Sequence, residues 1–219
     1  MILSLALVTL LMALFGGWLF RHSWGARPWE AQAAGQSPHR QAPPGATSAR
    51  VGLGVILAVA TSLFALTVSA YLMRLEQGSD WRPLSMPGLL WGNTLLLVAA
   101  SLALQRAWRA ARAEKPAALR TGLAWGGGLS LAFLTGQGLA WWQLTAAGAT
   151  LQASPAGSFF YLLTLLHGLH LIGGLVAWWR AWRRLGRGGD ITAGVELCAL
   201  YWHYLLVVWG VLFALLLMT

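Results

Sequence analysis

The 219-residue chain is poor in both charge and cysteine. Charged residues make up only 10% of it and hydrophobic residues 58%, whereas a soluble domain carries about 25% charge. This balance excludes an ordinary soluble domain and indicates a protein that crosses the membrane several times. The single cysteine, Cys198, excludes an internal disulfide and any metal site built from paired cysteines. No internal repeat is evident.

Acidic residues are scarce as well, with six against 15 basic residues. The basic residues lie in short loops rather than along a stripe on a soluble domain, so nucleic-acid binding is not indicated. No carboxylate lies in the middle of a hydrophobic segment, where a pump or transporter normally needs one. HExxH, CxxC, P-loop and Ser/His/Asp patterns are also missing. The residues alone therefore predict a helical bundle without a reaction centre of its own.

Six hydrophobic segments have the length of about 18 residues or more that crossing a bilayer requires. They are residues 2–20, 51–73, 87–107, 120–143, 158–180 and 193–218. The first could be a signal peptide, because Ala31-Gln32-Ala33 resembles a cleavage site. It has no basic n-region, however, and Ala33 lies far beyond the apolar run, so we expect it to be retained. The predicted fold is an all-α polytopic transmembrane helical bundle.

The basic residues alternate between connections, which predicts the orientation. The connections 21–50, 106–120 and 180–192 carry 13 of the 15 basic residues. The positive-inside rule places these connections in the cytoplasm and both termini in the periplasm. Residues 21–50 include a Pro-, Gly- and Ser-rich stretch, and we expect them to form a cytoplasmic linker.

Three histidines, His167, His170 and His203, lie inside the last two segments. A short connection predicts that these segments are antiparallel neighbours. At 1.5 Å per residue, His170 lies about 18 Å below the outer end and His203 about 15 Å above the inner end, so both are near mid-membrane. Three interpretations stay open on spacing alone: hydrogen bonding between helices by neutral imidazoles, axial ligation of a haem by His170 and His203, and a proton relay.

Two further polar residues lie in the hydrophobic segments. Glu196 is one turn from the cytoplasmic end of the last segment, where an interfacial ion pair is expected, and it shares a helix face with His203. Gln137 is the polar residue of the fourth segment and is predicted to form a hydrogen bond between helices. The predicted polar interhelical seam comprises His167, His170, Glu196, His203 and Gln137.

Four motifs resemble subunit III of the haem-copper oxidases over about residues 51–219. Residues 160–174 match FYxLTxxHGxHxxGG, and residues 196–209 match ExxxxYWHxxxVVW. The stretch LWGNTL, beginning at Leu90, resembles the start of a family helix, and Gln137 occupies the last position of the family's FLxxQ. The resemblance implies three regions: an extra transmembrane helix at 1–20, the linker at 21–50 and a five-helix family bundle at 51–219.

The resemblance also implies an accessory, non-catalytic membrane subunit of a terminal oxidase, which reduces oxygen to water and translocates protons. Family members lack haem and copper. They pack against catalytic subunit I, which carries haem and copper, near subunit II, and they bind phospholipid in the bacterial cytoplasmic (inner) membrane. Basic side chains near the surface attract anionic lipid, so we expect Arg183, Arg184 and Arg187 to contact headgroups.

The chain departs from the family at three acidic positions. Val59-Ala60 stands where the family usually has a carboxylate. Ala140 stands where the family often has an acidic residue after FLxxQ, and Leu206 replaces an aspartate. Functions that rest on those carboxylates are therefore not expected here. Two alternatives remain: an accessory subunit of a quinol oxidase or nitric oxide reductase, and, from another class, a haem-binding membrane electron carrier. A Soret band on the pure chain, lost in His170→Ala, would favour the carrier.

Overall fold

The described part of the chain consists of five α-helices. A computed structural model describes residues 48–77, 81, 84, 87–150, 154–186 and 191–218, and no strand occurs among them. The helices are α1 (Ser48–Gln77), α2 (Leu89–Arg112), α3 (Pro116–Ala146), α4 (Pro155–Leu185) and α5 (Thr192–Met218). They correspond to the second to sixth hydrophobic segments and confirm the all-α prediction. The predicted helix at 1–20 and nearly all of the linker lie outside the described residues.

Four of the described helices are long and apolar enough to cross a membrane. They are Ala49–Glu76, Leu89–Arg112, Pro155–Leu185 and Thr192–Met218, so the multi-pass prediction is confirmed. The remaining helix, α3, has 31 residues, which at 1.5 Å per residue exceeds the thickness of a bilayer core. Its many glycines contribute little hydropathy, and its crossing of the membrane stays a prediction.

The chain divides into two compact units, Met1–Met73 and Arg74–Thr219. Within the first unit, the described residues form most of α1. Hydroxyl groups on α1 bond back to their own helix, as when Thr61 donates to the carbonyl of Leu57 at 2.7 Å. Such bonds satisfy a hydroxyl group inside an apolar helix through the backbone of that helix.

The second unit contains a ring of four helices, α2 to α5. Each helix packs against the next, and α5 closes the ring against α2. The predicted adjacency of the last two segments is therefore observed as the α4–α5 pair. α4 begins at a Ser154 cap, whose side chain accepts a hydrogen bond from the Gly157 amide at 3.2 Å, and Pro155 occupies the first turn, where it is tolerated.

The closest helix pair, α2 and α3, approaches through glycines. The GxxxG spacing of Gly122 and Gly126 predicts such packing. An added Cβ at Gly122 would lie 2.9 Å from the Cβ of Ala107, and one at Gly126 would lie 2.6 Å from Cγ of Leu104. Both positions therefore require glycine for the two backbones to come this close.

Candidate functional site: polar contacts inside the four-helix unit

Four tryptophans donate their indole N–H groups across helix pairs. The four bonds run from Trp141 to the Thr164 hydroxyl at 3.0 Å, from Trp178 to the Leu123 carbonyl at 2.9 Å, from Trp202 to the Ser130 hydroxyl at 2.8 Å, and from Trp209 to the Thr94 hydroxyl at 3.0 Å. Each bond joins two different helices. Inside a lipid bilayer, apolar burial alone does not drive helices together, so hydrogen bonds of this kind help to determine which helices pair.

His203 of α5 faces α2. Its Nδ1 bonds to the Ser101 hydroxyl, and its Nε2 lies 3.0 Å from Oε1 of Gln105. Because an amide oxygen can only accept, Nε2 carries the proton in the neutral ring, and Nδ1 then accepts from Ser101. Both ring nitrogens are thus used to join α5 to α2 rather than to α4, its neighbour through the short connection. Ser101 and Gln105 were missed, although their i, i+4 spacing on one helix face is a usable signal.

His170 of α4 bonds within its own helix. Its Nδ1 lies 2.7 Å from the carbonyl of Leu166. A link between α4 and α5 is formed by the backbone of His170, because the Tyr201 hydroxyl donates to the His170 carbonyl at 3.0 Å. Tyr201, in the YWH motif, therefore contributes a contact between α4 and α5 that the histidine spacing did not predict.

His167 lies at the junction of three helices and is fully buried. Its ring centroid is 5.8 Å from that of Phe133 on α3 and 5.1 Å from that of Trp209 on α5, and those two rings are 5.0 Å apart. The three rings form a closed triangle. The imidazole of His167 therefore faces protein inside the four-helix unit rather than the acyl chains.

The last two predicted seam residues have different surroundings. Gln137 of α3 is buried, and neither polar atom of its amide has a hydrogen-bond partner among the residues the structure describes. The hydrogen bond predicted for Gln137 is therefore not formed by those residues. Glu196 is half-buried near the start of α5. The three histidines of the predicted seam thus have different contacts: His203 bonds to α2, His170 bonds within α4, and His167 packs on rings of α3 and α5.

Antiparallel packing gathers basic residues at one end of the unit. They are Arg109 and Arg112 of α2, Lys115 and Arg120 near the start of α3, and Arg180, Arg183 and Arg184 of α4. All seven side chains are exposed, and the guanidinium of Arg112 lies 5.5 Å from the ring centroid of Trp108. Arg187, the third predicted headgroup contact, lies outside the described residues.

The fold and these contacts define a multi-pass helical membrane protein. No group of three or more His, Cys, Asp or Glu side chains that could hold a metal ion occurs in the described ranges.

Comparison with known proteins identifies one family. Residues 49–218 match the family model of cytochrome c oxidase subunit III. The match covers the five described helices except for Ser48, the first residue of α1.

Individual relatives agree with the family match. The chain is 32% identical to a probable cytochrome c oxidase subunit 3 of Mycobacterium leprae, over 69% of this chain and 76% of the relative. It is 30% identical to cytochrome c oxidase subunit 3 of Synechocystis, over 75% of this chain and 72% of the relative. A Mycobacterium tuberculosis relative is 33% identical over 158 residues. The chain belongs to the cytochrome c oxidase subunit III family, which confirms the resemblance seen in its motifs.

Proposed function

We propose that this chain is an accessory, non-catalytic subunit of a haem-copper terminal oxidase in a bacterial cytoplasmic membrane. It would pack against catalytic subunit I, near subunit II, and stabilise the catalytic subunit during turnover. The observation that carries the proposal is the family match, which extends from residue 49 to residue 218. Haem and copper would belong to the partner subunits, where oxygen is reduced to water and protons are translocated.

The geometry of the histidines supports a non-catalytic role. Axial ligation needs a ring nitrogen directed at the iron. Both nitrogens of His203 are already engaged, with Ser101 and with Gln105. Ligation of a haem between His203 and His170 would break at least one of these two bonds, because either ring nitrogen would have to leave its partner on α2 for the iron. The arrangement therefore does not fit the alternative of a haem-binding electron carrier.

The proposed orientation places the basic end of the four-helix unit in the cytoplasm. That end combines the α2–α3 connection with the end of α4, and its exposed charged side chains are basic apart from Glu114, which is the excess that the positive-inside rule requires. The connection between α3 and α4 contains no charged residue between 144 and 157. This asymmetry favours periplasmic placement of the α3–α4 connection and of the C-terminus.

The exposed arginines at the end of α4 are proposed to bind anionic phospholipid. Replacing Arg183 and Arg184 together by Gln is expected to weaken that binding, because each basic residue near a surface contributes about 1 kcal/mol. That is roughly fivefold per residue. Anionic lipid retained by the purified complex, measured by mass spectrometry, checks this, with Arg74→Gln near the other membrane face as control. Equal lipid retention in the double variant and the control would contradict the assignment.

Oxygen consumption tests the accessory role. An oxidase purified from cells lacking this chain is expected to begin turnover at nearly the intact rate and then to lose activity faster, because its catalytic subunit is less well supported. Adding the purified chain back should restore the longer lifetime. Unchanged inactivation in the depleted oxidase would contradict a stabilising role, and activity missing from the first turnover would contradict a merely accessory one.

A further inference from the structure

The helix register brings Gln137 to the same level as His167. On one side, Trp141 of α3 reaches Thr164 of α4. On the other side, Phe133 of α3 contacts the His167 ring. The two helices are antiparallel, so these two contacts mark the ends of one stretch in which α3 and α4 face each other. Gln137 lies midway between Phe133 and Trp141, about one turn of helix from each. It therefore faces the segment of α4 between Thr164 and His167.

The other two helices contribute to the same level. From α2, the Asn93 amide nitrogen donates to the Phe133 carbonyl at 3.4 Å. The side chain of Asn93 also lies close against α3, since an added Cβ at Gly136 would be 2.8 Å from its Cγ. From α5, the Trp209 ring packs on His167. The buried polar layer is defined as Asn93, Gln137, His167 and Trp209.

Every member of the buried polar layer is shielded from the outside of the unit, with relative exposures of 0 to 4%. An amide buried in apolar surroundings without a hydrogen bond is costly. Gln137 has two such polar atoms, one donor group and one acceptor, with no partner among the described residues. In native proteins, groups of this kind are normally satisfied by protein or by ordered water.

We propose that the buried polar layer binds an internal water molecule, held by the Gln137 amide between α3 and α4. A buried water needs two to four polar partners. The Gln137 amide offers both a donor and an acceptor, and the Asn93 amide and the His167 imidazole lie at the same depth. The water satisfies the hydrogen-bonding groups of Gln137 and joins α3 to α4. The indole N–H of Trp209, in the same layer, needs no water because it already donates to the Thr94 hydroxyl.

Radiolytic footprinting of the full chain, purified with its natural partners in lipid nanodiscs, tests this site. X-rays generate hydroxyl radicals from bound water, and the radicals oxidise the side chains beside it. Trp209 lies in the layer and Trp202 lies outside it, and both are fully buried, so Trp202 is an internal control. The water predicts clearly more oxidation at Trp209 than at Trp202. Equal oxidation of the two tryptophans would overturn the proposal and favour a direct bond between Gln137 and His167.

A matched pair of variants locates the water. Gln137→Met keeps the length of the side chain and removes both polar atoms, so oxidation of Trp209 is expected to fall to the level of Trp202. Gln143→Met makes the same change at an exposed position of the same helix and should leave Trp209 oxidation unchanged. Oxidation of Trp209 that persists in Gln137→Met would also overturn the proposal. The comparison within the unmodified protein decides the question even if Gln137→Met fails to fold.

Discussion

Trp202→Ala is expected to lower the free energy of unfolding of the four-helix unit by about 3–5 kcal/mol, the cost of truncating a large buried aromatic residue. The Trp202 side chain is fully buried on α5. Its N–H donates to Ser130 on α3 at 2.8 Å, and its ring edge packs over Gly174 on α4. The change therefore removes contacts with two helices and leaves a cavity. The loss is measured as a lower midpoint of thermal unfolding in detergent, with size-exclusion chromatography used to monitor the fraction that stays folded.

Two further substitutions separate the causes of that loss. Trp179→Ala removes the same side chain from a position that is 51% exposed, so it should change the unfolding midpoint much less. Trp202→Phe keeps most of the ring volume and removes the donor to Ser130, which should cost about 1 kcal/mol for the hydrogen bond in addition to a smaller packing loss. A Trp202→Ala midpoint as high as that of Trp179→Ala would show that this contact does not stabilise the unit.

Gly127→Ala has the second large expected effect, although it adds only one methyl group. Its Cβ would overlap the indole of Trp178 and lie 2.6 Å from Cη2. That ring cannot easily move, because its N–H is bonded to the Leu123 carbonyl and its face stacks on Trp182 at 5.9 Å. Overpacking costs about 1–3 kcal/mol, and loss of the indole bond adds about 1 kcal/mol.

The neighbouring glycine supplies the control. An added Cβ at Gly128 meets no described atom within 4 Å. Alanine is also the better helix former, by about 1 kcal/mol in water. Gly128→Ala should therefore leave the unfolding midpoint unchanged or raise it slightly, while Gly127→Ala lowers it. Identical midpoints for the two variants would mean that α3 and α4 do not approach each other as closely as the structure shows.

The helices themselves were predictable because apolar length and loop composition mark them directly. The pairing of α4 with α5 followed from the short connection between them. The direction of His203 did not follow, because α5 has two neighbours in the ring and connection length identifies only one. Which neighbour a side chain faces depends on the rotation of the helix about its axis, which packing over the whole unit decides. Ser101 and Gln105 on α2 were the available signal.

The tryptophans show a similar limit. Trp141 and Trp178 lie near helix ends, and the sequence predicts membrane anchoring for residues placed there. In the structure both are half-buried, and their N–H groups bond across the α3–α4 pair. Anchoring and bonding place the residue at the same point of the chain, so position alone does not distinguish them. The acceptors, a hydroxyl and a main-chain carbonyl, have no pattern of their own.

The missing family carboxylates are consistent with the interior seen here. Ala140 is fully buried in α3 and Leu206 is half-buried in α5. An ionised carboxylate in place of Ala140 would lie inside the four-helix unit and would need a charged or hydrogen-bonding partner. Among the described residues, the contacts inside the four-helix unit come from indoles, hydroxyls, imidazoles and the amide of Asn93.

Mild solubilisation of the membrane and affinity purification of a tagged copy of the chain test the central claim most directly. We predict that a haem-copper catalytic subunit co-purifies with it, that the preparation shows a reduced-minus-oxidised haem spectrum, and that it consumes oxygen. The haem should remain with the partner when the subunits are separated. Recovery of this chain alone, as a homo-oligomer without an oxidase core, would contradict the account, as would a haem spectrum that stays with the isolated chain.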